Sequence, residues 1–451
     1  MKKILLISYL IIYGIANAPF AQTNKTVKKF INREEETVFN QVQQASFEYF
    51  RKGAEPNSGM GRERIHMDGI YPENDQSTVT SGGSGFGVMA LLVGIERKYI
   101  SRKEGVERLD KILHFLETAD RFKGAWPHWW YGETGKVRPF GTKDNGGDLV
   151  ETSYMLQGLL CLRQYFQNGT SAEKALAARA DKLWKEVDFD WYRNGQNVLY
   201  WHWSPDYAWQ MNFPVRGYNE CLIMYVLAAS SPTHGVSSEV YHQGWANNGN
   251  IKADSVRYAG FSLQLHHQGN EVNGGPLFWS QYSYLGLDPR GLRDTYADYW
   301  KENTNQSLIN YQWCVDNPGK FKEYGPNNWG LTASYSVNGY AAHRPSMQDD
   351  LGVITPTAAL SSFPYTPKQS MAAMKHWYTT KKDKLFGEYG FYDAFSVKDN
   401  WYLPRYLAID QGPIVVMMEN YRSGLLWDLF MSCPEIKIGL KKLGFQSPRI
   451  K

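Results

Sequence analysis

The sequence predicts an all-α protein built as a closed ring of helix hairpins, in which an inner barrel of helices is wrapped by an outer one. Three observations predict this fold class. Strand signals are sparse, helix-like segments recur from residue 34 to the end of the chain, and these segments are of two kinds. Some have one side suited to water, whereas others are apolar nearly all round, as buried helices are. An irregular helical domain with a small β domain is the alternative.

Three segments are predicted as outer helices with one side in water. They are EEETVFNQVQQASFEYFRK (34–52), RKEGVERLDKILHFLETADRF (102–122) and SAEKALAARADKLWKEVDF (171–189). Val38, Val42, Phe47 and Phe50 recur at near-helical spacing in the first segment. The other two are amphipathic, with heavily charged outer faces.

Six further segments, each with Gly or Pro at or beside its start, are predicted as buried inner helices because they run apolar nearly all round. They are SGFGVMALLVGI (84–95), GGDLVETSYMLQGLL (146–160), RGYNECLIMYVLAAS (216–230), GGPLFWSQYSYLGL (274–287), TPTAALSSF (355–363) and QGPIVVMMENYRSGLLWDLF (411–430). Buried and amphipathic helices that alternate along the chain predict a ring of hairpins. The fifth segment carries the weakest signal.

Long loops rich in Gly, Asn, Trp and Tyr separate the predicted helices. They cover 53–82, 123–147, 190–215, 243–275 and 317–354. Loops of this length are uncommon inside a compact domain unless they carry function. Most of them precede a predicted inner helix, so we expect them to gather at one rim of the barrel.

The first residues, MKKILLISYLIIYGIANAPFAQ, combine a basic start, an apolar run and small residues near its end. This pattern is typical of a secretory signal peptide, and the run is too short for a comfortable membrane span. A buried N-terminal helix is the alternative. We predict a signal peptide at 1–21, a single domain at 22–451, and a periplasmic or secreted protein without membrane insertion or a lipid anchor.

Charge and cysteine content exclude several classes of partner and cofactor. The net charge is +4 with scattered Lys and Arg, which gives weak grounds for nucleic-acid or membrane binding. The four cysteines lack the CxxC spacing of zinc or redox sites. We predict buried thiols, although a disulfide remains open. No metal or other cofactor is expected, and the chain is predicted to be a monomer.

The stretch TKDNGGDLVETSYML (142–156) opens an apolar helix with three carboxylates, those of Asp144, Asp148 and Glu151. On a helix that starts near Gly147, the last two lie three residues apart on the inward-facing stripe. The structural alternative is a capping box in which Asp148 caps the helix and Glu151 bonds back to its first amide. That alternative leaves Asp144 unexplained.

Matching acids stand at the starts of two other predicted inner helices. Glu220 precedes the apolar run 221–229, with a helix-dipole role or an ion pair to Arg216 as its alternative. Asp410 precedes Gly412 and Pro413, where helix capping is the alternative. Carboxylates that converge in a partly desolvated pocket are what glycoside hydrolysis needs, since one must be protonated and another ionised.

Aromatic clusters precede these acids or open a predicted inner helix. They are AWPHWWYG (125–132), YWHWSPDYAWQMNF (200–213) and LFWSQYSY (277–284). Aromatic faces suit the C–H face of a sugar, and core packing is the alternative. The candidate substrate-binding residues are Trp126, His128, Trp130, Arg216, Tyr218, Trp279, Gln281, Trp329 and Asp410.

Several motifs, in this order, resemble the bacterial glycoamylase-like family, which includes the β-1,2-glucanases of glycoside hydrolase family 144. They are TKDNGGDLVETSYMLQGLL, RGYNECLIMYVLA, LFWSQYSYLGLDPRG, NNWGLTAS, FGEYGFYDAF and IDQGPIVVMMENYRSGLLW. The resemblance implies an (α/α)6 barrel, secretion to the periplasm, and hydrolysis of β-1,2-glucan or its oligosaccharides with inversion and without a metal.

The acids implicated in that family match Asp144, Asp148, Glu151 and Glu220 here. We expect Glu220 to be the general acid, Asp148 or Asp144 to orient or activate water, and Glu151 to support them. Endo and exo action both remain open. The alternatives are a hydrolase of another glucoside or a lyase on the same barrel, and a non-catalytic glycan-binding protein.

Overall fold

The computed structural model describes residues 32–253, 257–268 and 272–450, and these are mostly helical. The predicted signal peptide lies outside the described residues. The α-helices are α1 (Arg33–Arg51), α2 (Ser81–Glu96), α3 (Arg102–Thr118), α4 (Leu149–Phe166), α5 (Ser171–Lys185), α6 (Leu222–Ser230), α7 (Tyr299–Asp316), α8 (Pro356–Leu360), α9 (Pro367–Thr380), α10 (Lys382–Leu385), α11 (Ala408–Arg422), α12 (Leu425–Met431) and α13 (Pro434–Lys442).

All strands in the described ranges are short, and no sheet there has more than three of them. They are β1 (Arg64–His66), β2 (Thr78–Thr80), β3 (Trp129–Tyr131), β4 (Val137–Arg138), β5 (Gly147–Asp148), β6 (His202–Trp203), β7 (Arg257–Tyr258), β8 (Phe261–Ser262), β9 (Ala333–Ser336), β10 (Gly339–Ala342), β11 (Phe386–Gly387), β12 (Gly390–Phe391), β13 (Phe395–Ser396), β14 (Trp401–Tyr402) and β15 (Arg405–Leu407). The alternative of a separate β domain is therefore not found in this part of the chain.

The three predicted outer helices are confirmed as α1, α3 and α5, and each begins at a polar cap. Asn32 and Glu35 form a capping box at α1, and Thr170 and Glu173 form one at α5. The Ser101 side chain accepts a hydrogen bond from a backbone amide at the start of α3. These local signals explain why the predicted starts agree with the structure.

The buried helices α4, α2 and α11 lie side by side and run in the same direction. Glycines allow this close approach, because a Cβ atom on Gly85 would lie 2.4 Å from the Cα of Met155. A Cβ atom on Gly412 would likewise lie 2.4 Å from the Cβ of Phe86. Helix α1 runs antiparallel to α2 on the outside, with Phe47 against Gly94 and its end against the middle of α2.

Hydrogen bonds continue this layer from α4 through α6, the segment 277–287 and α8 back to α11. Between α4 and the start of α6, the Tyr154 hydroxyl donates to the Glu220 carbonyl, and the Ile223 amide of α6 donates to the Ser283 hydroxyl. The Gln281 side-chain amide then donates to the Ala358 carbonyl of α8, and the Thr357 hydroxyl of α8 donates to the Asp410 carbonyl of α11. Helix packing and hydrogen bonds therefore link the six predicted inner segments to one another in chain order.

The predicted inner helix at 274–287 is wrong, since this segment forms two short 3₁₀ turns, Leu277–Ser280 and Tyr282–Tyr284. Its serine hydroxyls bond to backbone carbonyls, which competes with helix formation. The fifth inner helix is a short one, α8. The sixth is broken into α11 and α12 at Gly424, whose φ is 75°.

The short strands join the long loops at the starts of the buried helices. Strand β2 leads directly into α2, β5 into α4 and β15 into α11. Pairing of β2 with β3, β5 with β6 and β1 with β15 brings the loops 53–82, 123–147 and 190–215 together at this end. The prediction that loops gather at one rim is confirmed for these three.

The four cysteines are buried and unpaired, as the sequence favours. Within the described ranges, no helix combines the length and the apolar character that crossing a membrane requires.

The close contact between α2 and α4 gives a test of the packing. Replacing Gly85 with Ala should lower the free energy of unfolding by about 1–3 kcal/mol, because the new methyl group would overlap the backbone of α4. Gly325→Ala is the control, since nothing lies within 4 Å of that added atom. Urea unfolding of both variants measures the difference, and equal stability would contradict the packing described.

Candidate active site

The Asp148 carboxylate, which is fully buried, is the central acceptor at the start of α4. Its Oδ1 accepts the Glu151 backbone amide at 2.9 Å, so Asp148 caps the helix as the structural alternative proposed. Its Oδ2 accepts hydrogen bonds from His128 Nδ1 and Trp201 Nε1, both at 3.1 Å. Capping and the assembly of the acid cluster are therefore functions of the same side chain.

Glu151 does not complete a capping box. Its Oε2 instead accepts the Gly82 backbone amide at 2.9 Å, which ties the start of α4 to the start of α2. A Cβ atom on residue 82 would lie 2.3 Å from that oxygen, so the approach requires glycine there. The second half of the capping alternative is thus wrong.

Asp144 lies in the tight turn before α4 and is only 6% exposed. Its Oδ2 lies 3.1 Å from His202 Nε2, while the same nitrogen lies 3.9 Å from Asp148 Oδ2. The β5–β6 pairing sets Asp148 opposite His202, which explains how the 190–215 loop brings a histidine to both carboxylates.

Glu220 is 8% exposed, and its buried Oε2 has no hydrogen-bond partner. The predicted ion pair with Arg216 is wrong, because Arg216 is exposed and its guanidinium donates to the carbonyls of Gln243 and Gly244. A substrate contact through Arg216 finds no support in this arrangement. Glu220 therefore has one carboxyl oxygen that no donor among the described residues satisfies.

Burial raises the pKa of two of the four acids into the neutral range. Burial raises the pKa of Glu220 to about 8, and the negative charges of Glu151 and Asp148 add to that effect. Burial also raises the pKa of Glu151 to about 7; the His128 charge opposes the rise and the Asp148 charge adds to it. Glu220 is accordingly protonated at neutral pH.

The pKa of Asp148 shifts in the opposite direction. Burial alone would raise it, but the hydrogen bond from His128 and the charges of His202 and His128 hold the pKa of Asp148 below its usual value. Burial would likewise lower the pKa of His128, yet Glu151, Asp148 and Asp144 together raise it to about 10. The site therefore combines a protonated carboxyl with an ionised one, as acid–base catalysis requires.

A second carboxyl pair, Asp410 with Asp393, lies at the start of α11. Both side chains are buried and within hydrogen-bond reach of each other, and each has an oxygen without a donor. Burial raises the pKa of Asp393 to about 6, while burial and the Asp393 charge raise that of Asp410 well above its usual range. The pair therefore holds one shared proton at neutral pH. Burial raises the pKa of the Tyr282 hydroxyl, and the charges of Asp410, Glu151 and Glu220 add to the rise; this hydroxyl donates to the Ile409 carbonyl at 3.0 Å.

Three predicted substrate-binding tryptophans, Trp126, Trp130 and Trp329, are fully buried. Their indole N–H groups donate to the backbone carbonyls of Leu116, Asp120 and Gln369. These rings belong to the core and present no exposed face for a substrate contact.

Some of the remaining predicted binding residues are also buried in the core, whereas others lie beside the acids. Tyr218 is fully buried and its hydroxyl donates to Asn303, while the Gln281 amide, 1% exposed, donates to Ala358 and Ser362. Trp279 is 8% exposed. Tyr218 and Gln281 therefore bond within the core. His128 lies in the acid cluster and Asp410 in the second acid pair, and a substrate contact of either remains a prediction.

The sequence did not reveal three polar members of the site: Trp201, His202 and Asp393. Trp201 and His202 lie more than fifty positions after Asp148 and reach it through the pairing of β5 with β6. The cluster YWHW was visible in the sequence, but only the strand pairing tells which of its rings faces the acids.

His128, Asp144 and Asp148 also place one potential metal-ligand atom each within 4.8 Å of one another. His128 and Trp201 both donate hydrogen to Asp148 Oδ2, and the raised pKa keeps the His128 imidazole protonated. A metal ion bound to His128 Nδ1 would have to displace the proton that this nitrogen donates to Asp148 Oδ2. Metal-independent action remains a prediction.

Known proteins resemble this chain over most of its length. A family model for glycoamylases, described as "Putative glucoamylase", matches residues 212–434. The endo-β-1,2-glucanase of Chitinophaga pinensis, solved with sophorotriose and glucose, is 70% identical with a TM-score of 0.91, and the match covers 92% of this chain and 99% of that one.

More distant relatives extend the comparison. The exo β-1,2-glucooligosaccharide sophorohydrolase of Parabacteroides distasonis is 45% identical over 91% of this chain, which spans only 58% of that protein. An endo-β-1,2-glucanase mutant of Talaromyces funiculosus, solved with β-1,2-glucan, has a TM-score of 0.63 at 12% identity and covers 90% of this chain and 89% of its own. At that identity the likeness shows a shared fold alone.

The charges around His128 give a prediction that needs no substrate. Nitrogen-detected NMR of the imidazole should show His128 doubly protonated at pH 8, because its pKa is about 10. In Asp148→Asn the pKa should fall by at least about one unit, since a hydrogen bond and a negative charge are lost. His128→Gln assigns the resonance.

The raised pKa of His128 also makes the stability of the folded protein depend on pH. The folded-state pKa of His128 lies above the ordinary value of 6.5, so its stabilisation is complete below pH 6.5 and is lost as the pH rises through about 10. A neutral His128 at pH 8 in the unaltered protein would contradict the ion pair with Asp148.

Proposed function

Since this chain belongs to the glycoamylase-like family, in its β-1,2-glucanase branch, we propose that it hydrolyses the β-1,2-glucosidic bonds of glucan chains and their oligosaccharides. The observation that carries the proposal is the protonated Glu220, whose free carboxyl oxygen stands in one buried cluster with the ionised Asp148. Hydrolysis of a glycosidic bond needs both protonation states at once.

Glu220 is the general acid in this proposal. Its pKa of about 8 keeps the proton available at neutral pH, and its Oε2 has no other partner to hold that proton. Transfer of the proton to the glycosidic oxygen breaks the bond to C1, and Glu220 becomes a carboxylate.

Asp144 is the carboxylate that activates water. Both oxygens of Asp148 already accept hydrogen bonds, and that residue has no exposed surface, so it orients the cluster instead of meeting the substrate. Among the described residues, the Asp144 carboxylate has a side-chain partner only at Oδ2, which lies 3.1 Å from His202 Nε2. The water loses a proton to Asp144 as it attacks C1 from the face opposite to the leaving oxygen, which inverts the anomeric configuration.

Endo action fits the relatives best. The Chitinophaga pinensis relative is an endo-β-1,2-glucanase, and this chain covers 99% of it at 70% identity. The sophorohydrolase relative is less similar, at 45% identity, and this chain spans 58% of its length. We therefore propose cleavage within the glucan chain.

The proposal extends to the barrel type, the domain bounds, the oligomeric state and the location of the protein. The parallel buried helices, their antiparallel outer partner and the ring of hydrogen bonds support an (α/α)6 barrel with the acids at one rim. We further propose that the domain spans 22–451, is monomeric, and acts in the periplasm or outside the cell after removal of residues 1–21.

The first test is a reducing-sugar assay on linear β-1,2-glucan with β-1,3-, β-1,6- and α-1,4-glucans alongside. We expect activity on the β-1,2-linked chain, products of mixed length at early times, and the α anomer in time-resolved NMR. Glu220→Gln should lower kcat by a factor of about 10³ or more, because the proton donor is lost. Activity confined to α-1,4-glucan would overturn the proposal.

The matched control for that variant is Glu186→Gln, at the residue that follows the outer helix α5 and forms an ion pair with Arg121. It removes the same charge without touching the acid cluster, so kcat should stay within about twofold. Thermal unfolding of both variants separates loss of chemistry from loss of fold. A folded Glu220→Gln protein with near-normal turnover would exclude Glu220 as the acid.

The pH dependence of kcat/KM gives an independent test. Activity should fall above about pH 8, because Glu220 then loses the proton that it must donate. Replacing Glu151 with Gln removes a neighbouring negative charge, so the pKa of Glu220 should fall and the alkaline limb should move to lower pH. A limb that stays in place in this variant would contradict the coupling between the two acids.

A further inference from the structure

Two phenylalanines, Phe140 and Phe213, stand at the acid cluster with much of their surface in water. Phe140 is 52% exposed and Phe213 is 37% exposed. Exposed aromatic rings beside a polar cluster leave apolar surface in contact with water, and such surface commonly marks a ligand site. Neither residue takes part in the chemistry described above.

Phe140 lies flat on the imidazole of His128. The ring centroids are 4.2 Å apart with an angle of 22° between the planes, and Trp129 meets the edge of the pair at 4.8 Å. His128 is the residue that donates to Asp148 Oδ2. One face of Phe140 is therefore occupied by a site residue, and the exposed surface is on the rest of the ring.

Phe213 repeats this arrangement on the other loop. It stacks on Trp201 with centroids 5.3 Å apart and planes within 3°, and on His202 at 6.2 Å and 18°. Trp201 donates to Asp148 Oδ2, and His202 pairs with Asp144. Each loop thus stacks one partly exposed phenylalanine on an aromatic side chain that contacts Asp148 or Asp144.

The two loops are tied to each other and to the acids. The Phe140 amide donates to the Asp144 carbonyl, and the Trp201 amide donates to the Phe213 carbonyl. The Asn145 side chain accepts from Ser204 and donates to Asp206, both at 2.6 Å. Rings held in this way lose little freedom when a ligand binds, which favours their use as platforms.

Sugar rings fit such platforms because the C–H face of a pyranose is apolar and suits the face of an aromatic ring. The tryptophans that the sequence offered for this role are buried in the core. Tyr131 and Tyr340 are also exposed aromatic residues, but the structure gives them no ring contact with a residue that bonds to Asp144 or Asp148. Within the described ranges, Phe140 and Phe213 alone combine exposure with stacking on the acid cluster.

We propose that Phe140 and Phe213 are the stacking platforms for glucosyl units bound beside the acid cluster, one next to His128 and the other next to Trp201. The inference rests on the proposed glucan hydrolysis and adds the residues that hold the sugar in place. Their contribution is to substrate affinity, whereas the proton transfers belong to the acids.

The experiment measures binding apart from turnover. In a Glu220→Gln background, titration calorimetry with a β-1,2-linked glucooligosaccharide gives Kd for Phe140→Ala and Phe213→Ala. Each change should raise Kd about 3- to 10-fold, from the usual strength of an aromatic contact. Phe→Trp at either position should restore affinity, and Phe→Leu should not, because leucine keeps apolar surface without an aromatic face.

Ile438→Ala is the matched control, because Ile438 is 65% exposed on α13 and lies outside the loops of the site. Its Kd should be unchanged. In the catalytically intact protein, Phe140→Ala and Phe213→Ala should raise KM and leave kcat nearly constant, the signature of lost ground-state binding.

A different outcome would overturn the inference. If Kd is unchanged while kcat falls and the imidazole resonance of His128 shifts, the rings only shield the hydrogen bonds of Asp148. If leucine restores binding as well as tryptophan does, stacking is not involved. Failure of the proposed function is separate, since the protein with both phenylalanines would then neither cleave nor bind β-1,2-linked glucan.

Discussion

The buried Asp148 carboxylate is the acceptor on which the site depends. It takes hydrogen bonds from the α4 backbone, from His128 and from Trp201, and so joins one helix start to residues on two loops. Charge-assisted bonds to a buried carboxylate are strong, and removing the carboxylate would leave buried N–H groups unpaired. The geometry of Asp144 and of the loop carrying Trp201 and His202 follows from this one group.

Burial gives neighbouring carboxyls different protonation states. Asp148 has N–H donors and cations around it, so it remains ionised, whereas the Glu220 Oε2 has none and the residue keeps its proton. A protein interior of low polarity enlarges both effects. Asp148 and Glu220 carry the same carboxyl group, so their different protonation states come from the hydrogen-bond donors and charges around each one.

The sequence predicts what local patterns determine. Charged faces and polar caps located α1, α3 and α5, and the acids at helix starts located the cluster. Features that depend on distant contacts were missed. His202 reaches Asp148 only through the pairing of two short strands, and the segment 274–287 forms 3₁₀ turns because its serine hydroxyls bond to backbone carbonyls. Aromatic composition could not separate buried Trp126 from exposed Phe140.

The buried elements are joined by packing and hydrogen bonds, and the four thiols contribute no covalent link. Burial raises the pKa of Cys161, Cys221 and Cys314 well above the ordinary range, which leaves little thiolate to react. The described fold therefore contains no disulfide that a reducing agent could break, and its buried elements are held by non-covalent contacts alone.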